Sequence, residues 1–275
     1  MSQKLAYVTG GMGGIGTAIC QRLHKMGYKV IAGCGPSRDF DKWLGEQTAM
    51  GYTFYASDGN VADWVSTTDA FSKAVAEHGP IDVLVNNAGA AWGSPAEDHP
   101  LEAWDKVMNL NVRGYFILSQ YLGKHSMIGR RKGSIINVAS IAGLAGNPSG
   151  MKTLAYNTSK AAVINFTRAL AGEWGEHGIR VNAIAPTWVR TDFIKPLTDN
   201  PELLARMEAM TPLGRIAEIE DVVGAVIYLV SPAAAMRCKP SASKGLSMPI
   251  STLPERASDI SLSCGQRTLS TMSAA

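Results

Sequence analysis

Tyr156 and Lys160 stand four residues apart in Tyr156-Asn157-Thr158-Ser159-Lys160. On an α-helix that spacing points both side chains the same way, one turn apart. The stretch from Ala155 to Ala171 places Ala162, Val163, Phe166 and Leu170 at helical intervals and holds neither Pro nor Gly, so it predicts a helix. An ammonium beside a phenol favours the phenolate, so Lys160 is expected to draw the Tyr156 pKa below its usual value of about 10. A tyrosine tuned in that way donates or accepts a proton near neutral pH. Such pairs are common on helix surfaces. The chemistry therefore has to be argued from what precedes the pair: Thr9–Gly16, Asn86–Gly89, Asn111 and Ser140.

Leu5–Thr9 reads as a short buried strand, Gly10–Gly16 as a glycine-rich turn and Thr17–Met26 as a helix carrying Ile19, Cys20 and Leu23. Gly11, Gly13 and Gly16 match G-x-G-x-x-G. Thr9, Gly10, Gly14 and Gly16 match T-G-x-x-x-G-x-G, with Ile15 inside it. Glycines let the backbone approach a pyrophosphate, and the helix N-terminus offers free N–H groups and a positive dipole end. Strand, glycine turn and helix in that order predict a dinucleotide site. The next strand, Tyr28–Ala32, leads into Gly33-Cys34-Gly35-Pro36-Ser37-Arg38, with no acid before Asp39. An acid at this strand end would take the ribose 2′-OH of NAD. Arg38 would instead meet a 2′-phosphate, so NADP(H) is expected in preference to NAD(H). The plainer reading of Arg38 is a solvated loop charge.

The alternation continues. Asp41–Met50 reads as a helix, Thr53–Ser57 as a strand, Ser66–His78 as a helix and Ile81–Val85 as a strand ending in Asn86-Asn87-Ala88-Gly89. A long helical run, Leu101–Asn111 with Val112–Lys124, holds Asn111, and an Asn in a helix is ordinarily solvated or capping. Ser134–Ala139 reads as a strand with Ser140 just past its end. A Gly/Ala/Pro loop, Ile141–Leu154, leads to the Tyr156 helix, and Ile179–Ala185 is a sixth strand. Near-continuous apolar strands alternating with helices predict an α/β fold. It would be a Rossmann-type, doubly wound parallel sheet in three α/β/α layers. Thr9, Asn86 and Ser140 fall at strand carboxyl ends, where such sheets bind ligands. Asp192–Pro212, with Phe193, Leu197, Leu203, Met207 and Met210, reads as a substrate-covering flap with a short helix, or as a purely structural excursion. Glu218–Leu229 is the last convincing helix.

Residues 1–232 are read as one catalytic domain. The chain has 275 residues, 46% hydrophobic and 18% charged, which suits one large domain. Its net charge is +3, and all of that excess lies beyond Pro232, where five basic residues face two acids. The remainder is neutral, so nucleic-acid binding is not expected. No apolar run reaches membrane-spanning length and Met1–Lys4 lacks a signal-peptide core, so a cytoplasmic protein without a membrane partner is expected. Cys20, Cys34, Cys238 and Cys264 form no ligand spacing, so no metal is expected. Residues 233–275 are rich in Ser and Ala and lack aromatics, so they read as a disordered or poorly packed tail, or as a functional extension.

Together these motifs resemble the short-chain dehydrogenase/reductase family, from Leu5 to about Pro232. The resemblance rests on Thr9-Gly10-x3-Gly14-Ile15-Gly16, Asn86-Asn87-Ala88-Gly89, Asn111, Ser140, Tyr156, Lys160, Pro186 and Thr191. It implies that Tyr156 exchanges the substrate proton and Ser140 positions the carbonyl. It also implies that Lys160 tunes Tyr156 and meets the nicotinamide ribose, and that Asn111 holds a water relaying protons to Lys160. The implied cofactor contacts are Thr9, Gly10, Gly14, Ile15, Gly16, Arg38, Asn60, Val61, Asn87, Ala88, Gly89, Tyr156, Lys160, Pro186, Val189 and Thr191. The first 63 residues are similar to bacterial acetoacetyl-CoA reductases. Ala91-Trp92-Gly93 and Trp104–Met108 are closer to other 3-oxoacyl-reductase-like and polyol-dehydrogenase-like members. The resemblance implies NADPH-dependent reduction of a small carbonyl, a 3-oxoacyl thioester before a polyol or sugar ketone, by a homodimer or homotetramer. Three departures stand out: Asn60 replaces an Asp, Thr187 replaces the Gly after Pro186, and nothing beyond Pro232 matches the family's final strand. The last two leave room for a non-catalytic nucleotide sensor.

Overall fold

The computed structural model describes residues 3–35, 39–148 and 150–234. Six strands, β1 (Leu5–Thr9), β2 (Lys29–Cys34), β3 (Tyr55–Asp58), β4 (Val83–Asn86), β5 (Gly133–Val138) and β6 (Ile179–Ile184), form one parallel sheet in the order β3-β2-β1-β4-β5-β6. The chain runs outward from β1 to β3, then starts again at β4 on the other side of β1. The reversal lies between β1 and β4, the place where sheets of this order open a crevice at the strand carboxyl ends.

Strand alternation sorts side chains to two faces. Ala6, Val8, Val30 and Ala32 pack into one core with Ile19 and Leu23 of α1 (Gly14–Lys25), Trp43 of α2 (Phe40–Ala49) and Val222 and Val226 of the last helix. Leu5, Tyr7 and Ile31 pack into the other, with Phe71 of α3 (Trp64–His78) and residues of the helical run 101–127. Both sheet faces are therefore dry, which is why the strands are apolar throughout rather than alternating. Truncating a fully buried residue such as Leu84 or Leu118 to Ala would cost about 2–5 kcal/mol.

The run 101–127 is not one regular helix. α4 (Leu101–Met108) passes through a π turn at Asn109–Arg113 into α5 (Gly114–Leu122), and a second π turn follows at Gly123–Met127. Such bulges insert a residue and re-aim those beside it. α6 (Leu154–Trp174) carries Tyr156 and Lys160. The flap holds a 3-10 turn at Asp192–Ile194, α7 (Lys195–Thr198) and α8 (Pro201–Ala209) where one short helix is expected. Ile194, Met207 and Ile216 pack there with Met151, Trp188, Leu197 and Leu204, so the flap is pinned to the loop before α6.

α9 (Ile219–Val230) starts with a Glu218–Asp221 capping box, and the Arg180 guanidinium donates to the carbonyls of Leu229 and Val230 at its other end. A cation there satisfies orphan carbonyls and the negative end of the dipole. Among the described residues β6 pairs with β5 alone, and Pro232–Ala234 forms a 3-10 turn. The reading of 233–275 as a tail falls, from 235 onward, outside the described residues. No helix among those described is long and apolar enough to cross a membrane.

α1 starts at Gly14, three residues earlier than the sequence predicts. Glycine's poor propensity is overridden by packing: a Cβ on Gly16 would sit 2.0 Å from the Gly10 carbonyl oxygen, which no other residue tolerates. β2 runs on to Cys34 because Gly33 and Cys34 pair with Ser57 and Asp58.

Candidate active site

The glycine turn is built onto the sheet edge by side-chain bonds. Thr9 Oγ1, fully buried, accepts from the N–H groups of Asn87 (2.9 Å) and Ala88 (3.0 Å). Asn87 Nδ2 returns to the carbonyls of Thr9 (3.0 Å) and Gly10 (3.2 Å). The ends of β1 and β4 are thus laced together at the reversal point. Gly10 has φ +60° and lies where a Cβ would press on Ala88 Cα at 3.1 Å. Gly13 caps α1 without a side chain, and no acid stands in the first turn. The N–H groups of Gly14, Ile15 and Gly16 therefore open α1 with no side-chain cap of their own. That is the donor set a pyrophosphate requires.

Ser140, Tyr156, Lys160 and Asn111 come from three different segments and meet at the carboxyl end of β5. Ser140 Oγ accepts from Ala142 N–H (3.1 Å) and lies in hydrogen-bonding reach of the Tyr156 phenol. Lys160 is buried and its Nζ donates to the Val138 carbonyl at 2.7 Å. The same ammonium sits 5.5 Å from the Tyr156 ring centroid. Asn111, fully buried in the first π turn, accepts from Ala90 N–H at 2.8 Å. It donates to the Ala90 carbonyl and to Ser159 Oγ, both at 2.9 Å. Gly89 fills the gap between them, since a Cβ there would approach Asn111 Oδ1 at 3.3 Å and Lys160 Nζ at 3.7 Å.

Two expectations change here. Asn111 is neither solvated nor capping. Both its amide hydrogens are engaged, one by the Ala90 carbonyl and one by Ser159 Oγ. The Tyr156 pKa is raised rather than lowered: burial disfavours the phenolate, and the Ser140 hydrogen bond only partly offsets this. Lys160 does not counter it, because the same burial lowers its own pKa to about 7, leaving much of it neutral near physiological pH.

The far side of the crevice is built by the segment after β6. Pro186 accepts from Ile141 N–H at 3.0 Å, joining the loops after β5 and β6. Val189 is buried, Arg190 N–H donates to the Ala217 carbonyl, and Thr191 Oγ1 donates to the Val189 carbonyl at 3.2 Å. A Cβ on Gly14 would touch Thr191 Cγ2 at 3.2 Å, so Thr191 faces the start of α1. Thr187 is half-buried beside Pro186. Asn60 is exposed, and its Oδ1 accepts from Ala62 N–H at 3.1 Å. Val61, next to it, presents its carbonyl to Gly114. Arg38 lies outside the described residues. Asp39, the first acid after β2, caps α2 by accepting from Lys42 N–H at 3.0 Å.

Several contributors carry no motif. Ser159 bridges Asn111 and the Tyr156 carbonyl. Asn137, buried in β5, bonds Asn86 and Thr167. Asn147, Thr153 and Asn157 lock the loop before α6 to the turn that holds Tyr156. Phe193 of the flap, half exposed, lies 6.2 Å from the Tyr156 ring. The signal available in sequence was a polar residue inside an otherwise apolar strand or helix, as at Asn137.

Comparison with known proteins agrees with this geometry. Residues 4–202 match the family model described as short chain dehydrogenase. The acetoacetyl-CoA reductase of Cupriavidus necator is 41% identical over 232 residues, which is 84% of this chain and 92% of that protein. The galactitol 2-dehydrogenase of Rhizobium johnstonii is 38% identical over 84% of this chain and 89% of that protein. Among solved structures, a gluconate 5-dehydrogenase from Burkholderia cenocepacia in complex with NADP and tartrate superposes with a TM-score of 0.81 at 25% identity. That match covers 91% of this chain and 94% of the other.

Proposed function

The chain belongs to the short-chain dehydrogenase family, and we propose that it is an NADPH-dependent reductase converting the 3-oxo group of a small acyl thioester to a secondary alcohol. The observation that carries this reading is the convergence of Ser140, Tyr156 and Lys160 across the crevice from the glycine turn. The 41% identity to an acetoacetyl-CoA reductase supports the thioester, as does the apolar Phe193 beside Tyr156. NADPH is favoured because the sequence offers no acid between the end of β2 and Asp39, itself engaged as a helix cap, and does offer Arg38 for a 2′-phosphate.

The cradle of Thr9, Gly10, Gly14, Ile15 and Gly16, with Asn87, Ala88 and Gly89, would hold the dinucleotide. Asn60 and Val61 would lie at its adenine end and Pro186, Val189 and Thr191 at its nicotinamide end. When bound, the nicotinamide supplies the hydride. The remaining steps belong to the protein. Ser140 donates a hydrogen bond to the substrate oxygen and holds it before Tyr156. Tyr156, kept protonated by its burial, gives its proton to that oxygen as negative charge develops. Lys160, in its charged form, would stabilise the phenolate left when Tyr156 gives up its proton, and would bond the nicotinamide ribose. Asn111 acts by holding Ala90 and Ser159, which fixes the floor under Tyr156. The protein is expected to work as a homodimer or homotetramer.

The test is turnover of acetoacetyl-CoA, a 3-oxoacyl mimic and a set of polyol-derived ketones with NADPH and with NADH. Acetoacetyl-CoA turnover favouring NADPH is expected. Good ketose turnover with none on acetoacetyl-CoA would overturn the thioester reading and favour a polyol dehydrogenase, the reading supported by the galactitol enzyme. Arg38→Ala is expected to weaken NADPH and spare NADH; equal effects on both would remove the 2′-phosphate contact.

A further inference from the structure

Tyr115 lies in α5, two residues after the first π turn, and is fully buried. Its hydroxyl donates to the Val138 carbonyl at 3.3 Å, the same oxygen that takes the Lys160 ammonium at 2.7 Å. The Lys160 Nζ lies 5.6 Å from the Tyr115 ring centroid and 5.5 Å from that of Tyr156, so two aromatic rings attend one cation. Ala139, Val163, Ile164 and Ala183 pack around Tyr115 and hold its ring.

A phenylalanine would fill that apolar site equally well. A buried hydroxyl is costly unless bonded, so its presence asks for a use. A carbonyl oxygen has two lone pairs, and here each is assigned one donor. We propose that Tyr115 is a positioning residue for Lys160. Its hydroxyl shares the Val138 carbonyl with the ammonium and its ring face attracts the charge, which together set where the ammonium sits beneath Tyr156 and how strongly it is held.

The two parts of Tyr115 act in opposite senses. The hydroxyl competes for the acceptor and weakens the hold on the charged lysine, while the ring strengthens it. Burial keeps the Tyr115 phenol protonated, so it remains a donor throughout the working pH range. The groups facing Lys160 are Tyr156 on its own helix, Tyr115 on α5, Asn111 beyond Gly89 and the Val138 carbonyl on β5. No charged group faces it among the described residues.

The test compares wild type, Tyr115→Phe and Tyr115→Leu. Lys160 is titrated on the free protein by heteronuclear NMR of lysine labelled at Cε and Nζ, its signal assigned by loss in Lys160→Arg. The pH profile of kcat is recorded in parallel. Removing the hydroxyl in Tyr115→Phe is expected to raise the Lys160 pKa. Removing the ring, read as the step from Phe to Leu, is expected to lower it by roughly half a unit or more and to reduce kcat several-fold with KM nearly unchanged. Coincident titrations and coincident pH profiles, with only the melting temperature differing, would overturn the proposal and leave Tyr115 as core filling. If Tyr115→Leu fails to fold, an unshifted Lys160 in Tyr115→Phe decides against it. The inference rests on the proposed reaction only for the rate arm. A shifted Lys160 in a protein that reduces no carbonyl would sink that reaction alone, and an unshifted one in an active enzyme would sink this inference alone.

Discussion

The Asn111 carboxamide grips Ala90 at both ends of its backbone, accepting from the N–H at 2.8 Å and donating to the C=O at 2.9 Å. One side chain thereby does what a neighbouring strand would do, at a point where β4 has already ended. The π turn makes this possible by turning Asn111 inward, toward the segment that follows Gly89. Asn111→Ala leaves two backbone groups of Ala90 without partners, and each such loss costs about 1–3 kcal/mol. A fall in stability of about 2–4 kcal/mol is expected, with weaker NADPH binding, read by thermal melts and cofactor titration. Unchanged melting with lost rate would mean that Asn111 serves a relay and not a clamp.

Tyr156→Phe removes the proton and keeps the ring. The ring contacts with Lys160 and Phe193 survive, so the crevice should keep its shape. NADPH affinity is expected to stay within about twofold and the rate to fall by at least the roughly 10²–10⁴ that a positioned acid contributes. Retained rate would remove Tyr156 as the acid.

Lys160 makes the stability of the free protein depend on pH. Its pKa falls from the ordinary 10.5 to about 7 on folding, so between those values the unfolded chain binds more protons than the folded one. Stability therefore rises as pH increases from about 7 toward 10 and is lowest, for this group, below 7, where the charge stays buried. Above about 10 the trend reverses, because Tyr156 ionises in the unfolded chain while burial holds it neutral in the fold. Lys160→Met is expected to melt higher than wild type at pH 7, with the gap shrinking toward pH 10, and to lose turnover. A gap that stays constant with pH would exclude the lowered Lys160 pKa.

Thr9→Val is close to isosteric but deletes the oxygen that accepts from Asn87 and Ala88. Two half-buried N–H groups then lose their partner, for an expected loss of about 1–3 kcal/mol. Thr9→Ser should restore most of it. If valine and serine variants melted alike, the hydroxyl would not be what joins β1 to β4.

Much of the fold follows from local pattern. β1 spans Leu5–Thr9 as its apolar run predicts, and the helices on either side of each strand fall within a few residues of their periodic signals. The boundaries that moved did so where packing overrode propensity, as at Gly14, or where pairing extended a strand, as at Cys34. The two π turns had no signal of their own. Gly114 beside the first meets Val61 and Gly123 at the start of the second meets Trp174, contacts between residues far apart in the chain.

The candidate site divides in the same way. Sequence alone was enough to put Tyr156 and Lys160 on one helix face, Ser140 and Thr9 at strand ends, and a glycine turn at a helix start, because each depends only on helix period, strand period and the freedom of glycine. The tertiary structure decided that Asn111 clamps Ala90, that Tyr115 shares a carbonyl with Lys160, and that burial raises the Tyr156 pKa while lowering that of Lys160. Those outcomes depend on which groups meet across the sheet and on how much water remains around them, and neither is encoded in the spacing of residues along the chain.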